Sequence, residues 1–138
     1  MSYKIISKFI KDISFELPNI QAFVMLEKEI ANYALNFDIK SNPFKNNIIE
    51  VNTVLRISPN QEVKHKILTE ITCTTLVSIE EHFKDKKELE KIILVKIPQE
   101  IYSTLYETFV YLFSQAGIKN IEIHKKVDFE KMYNERKK

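Results

Sequence analysis

The chain has 138 residues, of which 44% are hydrophobic and 29% are charged, and its formal net charge is +2. No stretch approaches the roughly 20 consecutive apolar residues of a membrane span, and the single cysteine excludes an internal disulfide framework. The length predicts one domain over residues 1–138, and the N-terminus leads directly into a strand instead of an apolar signal core. We therefore expect a cytoplasmic protein without membrane insertion.

The basic residues gather at the C-terminus, where residues 125–138 carry six Lys or Arg against three acids. Duplex binding requires several phosphate contacts from a clustered basic face, preferably one rich in arginine. The chain has only two arginines, Arg56 and Arg136. The pattern favours a solvated tail and no nucleic-acid partner, and a small nucleic-acid-binding module is the weakest of the alternatives.

A half-buried strand is the first predicted element. Apolar and polar residues alternate from Tyr3 to Glu16, and Pro18 stops the strand because proline cannot donate to a ladder. Residues 18–31 then form a crossover. The residues predicted to face inward are Tyr3, Ile5, Phe9, Ile13 and Phe15, and those predicted to face outward are Lys4, Lys8, Asp12, Ser14 and Glu16.

Three more alternating segments predict three further strands, over 33–39, 49–57 and 63–79. The first of these ends at the turn residues 41–43, which include a proline. Short turns between the strands indicate an antiparallel sheet with one covered face. Cys73 falls in the inward frame of the last strand, where a buried structural thiol is expected.

The apolar period becomes helical from about Lys86. Pro98 suits a first helical residue, and the segment 98–116 is predicted to be a helix that Gly117 caps in the left-handed conformation. A short last helix is predicted to begin near Asp128 as its N-cap. The predicted fold is α+β, a four-stranded antiparallel sheet covered on one face by a long helix plus a short C-terminal helix.

Apolar residues on the long helix exceed one stripe, so the helix needs a second packing partner besides the sheet. The same helix of another subunit is the simplest partner. The predicted oligomer interface consists of Leu105, Phe109, Leu112 and Phe113.

An enzyme is not expected from this sequence. It has no Gly-rich phosphate loop and no Ser or Cys nucleophile with an adjacent base. The three histidines, His65, His82 and His124, have no metal-ligand spacing with Cys73. We expect no catalytic residues, no metal and no cofactor.

Three segments resemble one known family. Lys11–Asn19 resembles the Lys-Asp-(Ile/Leu)-Ser-Phe-Glu-x-Pro-Asn signature of the SecB family, tetrameric cytosolic chaperones that hold unfolded precursors for export. The residues 67–79 are similar to the family's strand with a Leu-x-Glu sequence, and 127–129 are similar to its Val-Asn-Phe. The resemblance implies an ATP-independent holdase, a homotetramer built as a dimer of dimers, that delivers unfolded precursor polypeptides to the SecA motor.

Several features depart from the family pattern. The chain has no tryptophan, Thr74 and Thr75 stand where a glycine pair is usual, and a basic tail replaces the usual acidic one. A SecB-like chaperone dedicated to a toxin–antitoxin pair, or to another single client, is therefore the first alternative.

The first candidate site is acidic. The resemblance implies a flat sheet surface that receives the basic, zinc-bearing end of SecA, and its residues here are Asp12, Glu16, Leu68 and Glu70. From the pattern alone, a solvated sheet face with one exposed leucine is the commoner explanation.

The second candidate site is an apolar groove for unfolded polypeptide. Methionine and rotatable aromatic side chains adapt to many sequences, as a holdase requires. A satellite core beneath a long loop is equally compatible with the same residues. The predicted groove residues are Phe23, Val24, Met25, Leu26, Phe129, Met132 and Tyr133.

Overall fold

Four antiparallel strands form one sheet in a computed structural model that describes residues 3–29, 33–60, 66–80, 85–118 and 126–136. In chain order the strands are β1 (Tyr3–Glu16), β2 (Tyr33–Lys45), β3 (Ile48–Pro59) and β4 (Leu68–Ile79). Their spatial order is β1-β4-β3-β2, so β1 and β2 are the edge strands. The helices are α1 (Ile20–Glu29), α2 (Lys86–Lys91), α3 (Ile97–Gln115) and α4 (Phe129–Arg136), with a π-helical segment (Ile92–Lys96) between α2 and α3.

One face of the sheet packs against α3, and we call it the inner face. Residues Leu55 of β3 and Ile71 of β4 are buried there in one cluster with Phe109 of α3. The opposite, outer face is not covered by the described helices. This arrangement confirms the predicted α+β fold with one covered sheet face.

Two bulges in β1 change the predicted faces of that strand. The register with β4 shifts between Ile5 and Ser7 and again between Ile10 and Asp12. Since one extra residue moves all following side chains to the other face, the first bulge reverses the alternation and the second restores it. The prediction was therefore wrong for the segment between the bulges: Phe9 lies on the outer face opposite Thr74, and Lys8 on the inner face opposite Thr75.

Strand β2 continues past its predicted end. Pro43 pairs with Ile49, and the strand reaches Lys45 before a tight turn in which Asn46 has a φ of 50°. Proline is tolerated here because β2 is an edge strand, where a missing N–H costs no ladder bond. Of the fourth predicted strand, residues 63–65 lie outside the described part of the chain, and β4 begins at Leu68.

The crossover contains a helix that the sequence analysis did not predict. Asn19 caps α1, since its Oδ1 accepts a hydrogen bond from the Ala22 N–H at 2.9 Å. Among the side chains of α1 that the structure describes, Ala22 and Leu26 are buried, and they are one turn apart. The helix therefore lies on the body of the protein through a narrow apolar stripe.

The long helix was predicted to begin at Pro98, but it runs continuously over 86–115. Asp85 caps its start, and its Oδ1 accepts from the Lys87 N–H at 3.0 Å. Proline inside a helix removes one N–H and its ring meets the carbonyl four residues earlier. The π-helical segment directly precedes Pro98, and there the Ile97 N–H bonds to the Ile92 carbonyl, one residue further back than in an α-helix. The extra residue in this turn accommodates the proline.

The C-terminus of α3 and the N-terminus of α4 are as predicted. Gly117 has a φ of 85°, and the N–H groups of Gly117 and Ile118 donate to the carbonyls of Ser114 and Phe113. This pair of bonds is the Schellman arrangement that closes a helix C-terminus. At α4, Asp128 Oδ1 accepts from the Lys131 N–H at 3.0 Å, which confirms Asp128 as the N-cap.

Candidate functional site

The outer face brings together the four residues of the predicted acidic site. Glu16 lies directly opposite Leu68 in the β1–β4 register, and Ser14 lies opposite Glu70. Asp12 is opposite Thr72, two positions further along the same face. Leu68 is 46% exposed, and Asp12 and Glu16 are also exposed. The geometry is thus compatible with a shared surface, and its function stays a prediction.

Spacing on the sheet determines how these charges act. Asp12 and Glu16 are four residues apart on one strand, about 13 to 14 Å, which exceeds the Debye length of about 8 Å at physiological salt. Glu70 lies on the neighbouring strand opposite the residue midway between them. The three carboxylates therefore form a triangle around Ser14, with Leu68 at one corner beside Glu16.

A cation at this surface was missed by the sequence analysis. Arg56 of β3 is the Cα partner of Glu70, and its Nε lies 2.8 Å from Glu70 Oε2. The alternation in β3 predicts that Arg56 points outward, but only the strand register shows that it meets Glu70. Both side chains are partly exposed, at 47% and 39%. The charge of one of the three carboxylates is therefore compensated within the chain.

The far half of the outer face contains a row of hydrogen-bonded polar side chains next to the exposed Phe9. Thr74 donates from Oγ1 to Asn52 Oδ1 at 2.6 Å, and Asn52 donates from Nδ2 to Glu50 Oε1 at 2.8 Å. These bonds satisfy the side chains within the sheet. Exposed carboxylates of the outer face lie at the β1 edge, where Asp12 and Glu16 are near Leu68, and at the β2 edge, where Asp38 lies.

Exposure divides the predicted polypeptide groove at α1. Val24 is 62% exposed, and Phe23 and Met25 are 39% and 38% exposed. Leu26 is 2% exposed and belongs to the main core with Leu55 and Phe109. We therefore assign Leu26 to packing within the protomer, because it lies on the face of α1 that turns toward the core, and the exposed apolar surface of α1 consists of the other three.

The α4 residues of the predicted groove divide in the same way. Phe129 and Tyr133 are 2% and 5% exposed, and the Phe129 ring packs edge-on against Phe37 and Tyr102 with centroids 5.0 and 6.0 Å apart. The same burial raises the pKa of Tyr102 to about 12. Met132 is 36% exposed and borders a shallow groove. The other residues lining that groove are Phe37, Ile39, Leu94, Phe129, Tyr133 and Glu135.

The two apolar surfaces lie apart within one protomer. Phe23 lies at the C-terminal end of α3, where a Cβ at Gly117 would be 3.8 Å from its ring. Phe129 instead packs on Tyr102, fifteen residues earlier on the same helix, which corresponds to roughly 22 Å at 1.5 Å per residue. The predicted groove is therefore two separate surfaces in the single chain.

The long helix turns most of the predicted interface residues toward its own sheet. Leu105, Phe109 and Phe113 are spaced one turn apart and are at most 2% exposed in the main core. The prediction that these three form the oligomer interface is corrected accordingly, and Leu112 is half-buried against the same core. Val110 and Tyr111, at 41% and 62% exposure, carry the exposed apolar surface of this helix.

Cys73 is part of the packed core. Cys73 is fully buried, and this burial raises the pKa of its thiol. Within the described ranges, no group of three or more His, Cys, Asp or Glu side chains could hold a metal ion. The three histidines lie outside the described residues. None of the helices in the described part of the chain is long and apolar enough to cross a membrane.

Comparison with known proteins decides the family. The model of the family described as "Preprotein translocase subunit SecB" matches residues 1–138. The chain belongs to the SecB family. SecB members are chaperones of protein export, so the predicted resemblance is confirmed. A relative from Pelagibacter ubique (strain HTCC1062), named "Putative protein-export protein SecB", is 44% identical over 135 residues, which are 98% of this chain and 96% of the relative.

A solved structure shares the SecB fold. It is the Mycobacterium tuberculosis SecB-like chaperone Rv1957 in complex with a ChAD peptide from the antitoxin HigA1. The TM-score is 0.69 at 9% sequence identity, and the match covers 91% of this chain and 88% of that one. This likeness supports the fold of the sheet and helices described above.

Proposed function

We propose that this protein is an ATP-independent holdase that binds unfolded precursor polypeptides in the cytoplasm and delivers them to the SecA motor for export. The observation that carries the proposal is the SecB family match over the whole chain, together with the close relative named for protein export. No step of this function requires catalysis, because a holdase works by binding alone. The working unit is a homotetramer, a dimer of dimers.

Client binding is assigned to the exposed apolar residues of α1. Phe23, Val24 and Met25 are adjacent in sequence and present an exposed apolar surface next to the end of α3, which includes a rotatable aromatic ring and an unbranched methionine. Apolar burial contributes about 25 cal/mol per Å² whatever the sequence of the client, so such a patch accepts many extended segments. Met132 and the groove beside α4 provide a second apolar surface for a longer segment.

Aggregation assays test this assignment. The protein should suppress aggregation of an unfolded polypeptide without ATP, and Val24→Ser with Met25→Ser should weaken capture several-fold at an unchanged melting temperature. Phe44→Ser is the matched control, since Phe44 is 51% exposed on β2 and outside the proposed surface. Equal loss from the control and the double variant would remove α1 from the site, and a wild-type protein without any capture would end the holdase proposal.

Motor docking is assigned to the outer face around Asp12, Glu16 and Leu68. Two carboxylates on one strand, with an exposed leucine opposite Glu16, match a basic segment by charge and offer it one apolar contact, an arrangement that favours orientation and association rate over raw affinity. Asp12→Lys with Glu16→Lys should weaken binding of the zinc-loaded basic C-terminal segment of SecA by about tenfold or more, since like charges would then face each other.

The control for that experiment is Asp38→Lys, a charge reversal on the outer face at the other edge strand. It should leave binding of the SecA segment nearly unchanged, and neither variant should alter client capture. A wild-type protein without salt-sensitive affinity for the segment would exclude delivery to SecA.

A chaperone dedicated to one client, such as an antitoxin, is the second candidate. Two observations favour it over general export: the Arg56–Glu70 ion pair reduces the net charge of the outer face, and a solved structure with the same fold is bound to an antitoxin peptide. This candidate would be supported if the protein bound one partner with far higher affinity than it bound a panel of unrelated unfolded proteins. Binding to nucleic acid with a steep salt dependence would support the third alternative, a nucleic-acid module.

A further inference from the structure

Arg56 lies beside Glu70, the corner of the docking surface that is nearest to β3. It is the Cα partner of Glu70 across β3 and β4, and Glu70 is in turn opposite the Ser14 that lies between Asp12 and Glu16. The guanidinium therefore approaches the triangle of carboxylates from the side away from the β1 edge. Among the described residues, no ion pair involves Asp12 or Glu16.

The ion pair is close but accessible. Its N–O distance is 2.8 Å, and both side chains remain partly open to solvent. An ion pair at such exposure contributes little to stability, because solvent screens it and both side chains lose freedom. A partner can therefore displace or share it at modest cost. The pair influences binding more than folding.

We propose that Arg56 is a specificity-determining residue of the outer face, an internal competitor that a basic partner must displace from Glu70. The inference rests on the proposed docking of the basic SecA segment. A cation that reaches Glu70 meets a guanidinium already paired with that carboxylate, and the two positive charges repel each other. A partner that contributes only isolated basic residues therefore gains binding free energy from Asp12 and Glu16 but little from Glu70.

The same geometry defines the partner that the face prefers. Arginine carries five N–H donors, and the bond to Glu70 involves Nε, so other donors of the fork remain for an acceptor on the partner. A segment with cations for Asp12 and Glu16 and a carboxylate or carbonyl for Arg56 satisfies all four charged groups. Charge order, and not net charge alone, then distinguishes partners on this surface.

The inference is tested by comparing the Arg56→Gln variant with a second variant that also loses one positive charge. The control is Lys40→Gln, which removes one positive charge from the same outer face, on β2, without touching Glu70. The probe is the zinc-loaded basic C-terminal segment of SecA, measured by calorimetry at two salt concentrations. The Arg56→Gln variant should bind the segment about three- to tenfold more tightly than wild type, which is the combined effect expected for one exposed ion pair and one screened repulsion. Its affinity should also depend more steeply on salt concentration. Lys40→Gln should change affinity less than twofold.

The outcomes separate the inference from the proposed function. If wild type binds the segment and the Arg56→Gln and Lys40→Gln variants bind it with equal affinities, the competitor role is overturned and motor docking stands. Weaker binding by Arg56→Gln than by wild type has the same meaning. Binding by Arg56→Gln alone supports the role and shows that the natural chain excludes this partner. No binding by any variant overturns both. If Arg56→Gln does not fold, Arg56→Lys replaces it, since lysine lacks the planar fork and should give a smaller gain in affinity.

Discussion

Gly117 shows how one residue ends the long helix. Its φ of 85° lies in the left-handed region, and it is the only glycine of the chain. The Schellman bonds to Ser114 and Phe113 depend on this backbone conformation. In this conformation the Cβ of any other residue comes too close to that residue's own backbone, so the strain does not depend on the surrounding space.

Gly117→Ala should therefore destabilise the protein by about 1 to 2 kcal/mol. The cost arises from the backbone, because the new Cβ would lie 3.8 Å from the Phe23 ring, an ordinary contact distance. Urea denaturation followed by circular dichroism measures the change. Gly117→Asn serves as the control, since asparagine tolerates the left-handed region better and should cost less. Equal losses for the two variants would indicate a steric conflict with Phe23 instead of backbone strain.

Arg56 is the residue that most changes the interpretation of the candidate site. The sequence identifies it as one of two arginines and places it in an outward frame, but its partner Glu70 is fourteen residues away on another strand. Alternation predicts the face of a side chain and not the register between strands. The charge of the docking surface therefore depends on a pairing that a single sequence does not contain.

At the scale of elements, β1 shows the limit of alternation. The period of two predicts the faces correctly at both ends of the strand and incorrectly between Ile6 and Lys11, where the two bulges lie. Without the second bulge, Asp12 and Glu16 would point to the inner face. The second bulge compensates for the first, and Asp12 and Glu16 therefore keep the outer face that uninterrupted alternation predicts.

One face of the long helix packs on the sheet and another is exposed. Leu105, Phe109 and Phe113 form the stripe that packs on the sheet, where Phe109 and Phe113 stack edge-on at 4.1 Å between centroids. Val110 and Tyr111 lie on the exposed side. Helical periodicity identifies both sets as apolar but does not say which one the sheet covers.

Phe109→Ala should cost about 3 to 5 kcal/mol in the free energy of unfolding, because it leaves a cavity beneath a helix that is closely packed on the sheet. Its neighbour provides the control. Val110→Ala removes a side chain that is 41% exposed in the protomer and should cost much less. Thermal or chemical denaturation of both variants distinguishes them, and similar losses would contradict the assignment of faces.

At the scale of the whole molecule, assembly is expected through the exposed side of the long helix. Tyr111 at 62% exposure and Val110 beside it are large apolar groups without cover in the described part of the protomer. A second copy of the same helix is the partner that the sequence analysis proposed for the apolar surplus. The structure moves that proposal from the Phe109 stripe to the Tyr111 side.

Tyr111→Asp should therefore lower the oligomeric mass while the protomer stays folded, because a charge in a dry interface costs several kcal/mol. Light scattering measures the mass, and circular dichroism confirms the fold. Tyr111→Phe keeps the apolar ring and should assemble like wild type. A Tyr111→Asp protein with native mass would place the subunit interface elsewhere.

The sequence by itself determined the class of fold and the family. Alternation, helical spacing and the positions of Gly117 and Asp128 predict the elements, because these signals act within a few residues of the chain. The segment Lys11–Asn19 points to the SecB family for the same reason, as a local pattern. Its identification required no knowledge of how the strands pair.

Only the tertiary structure decided which residues are available for binding. The register of β1, β4 and β3 brings Arg56 to Glu70, and packing buries Leu26, Phe109 and Phe129 while it leaves Val24 and Tyr111 exposed. Apolar residues that pack in a core and apolar residues that bind a partner have the same chemistry. Contacts between segments distant in sequence select between the two roles, and those contacts exist only in the folded chain.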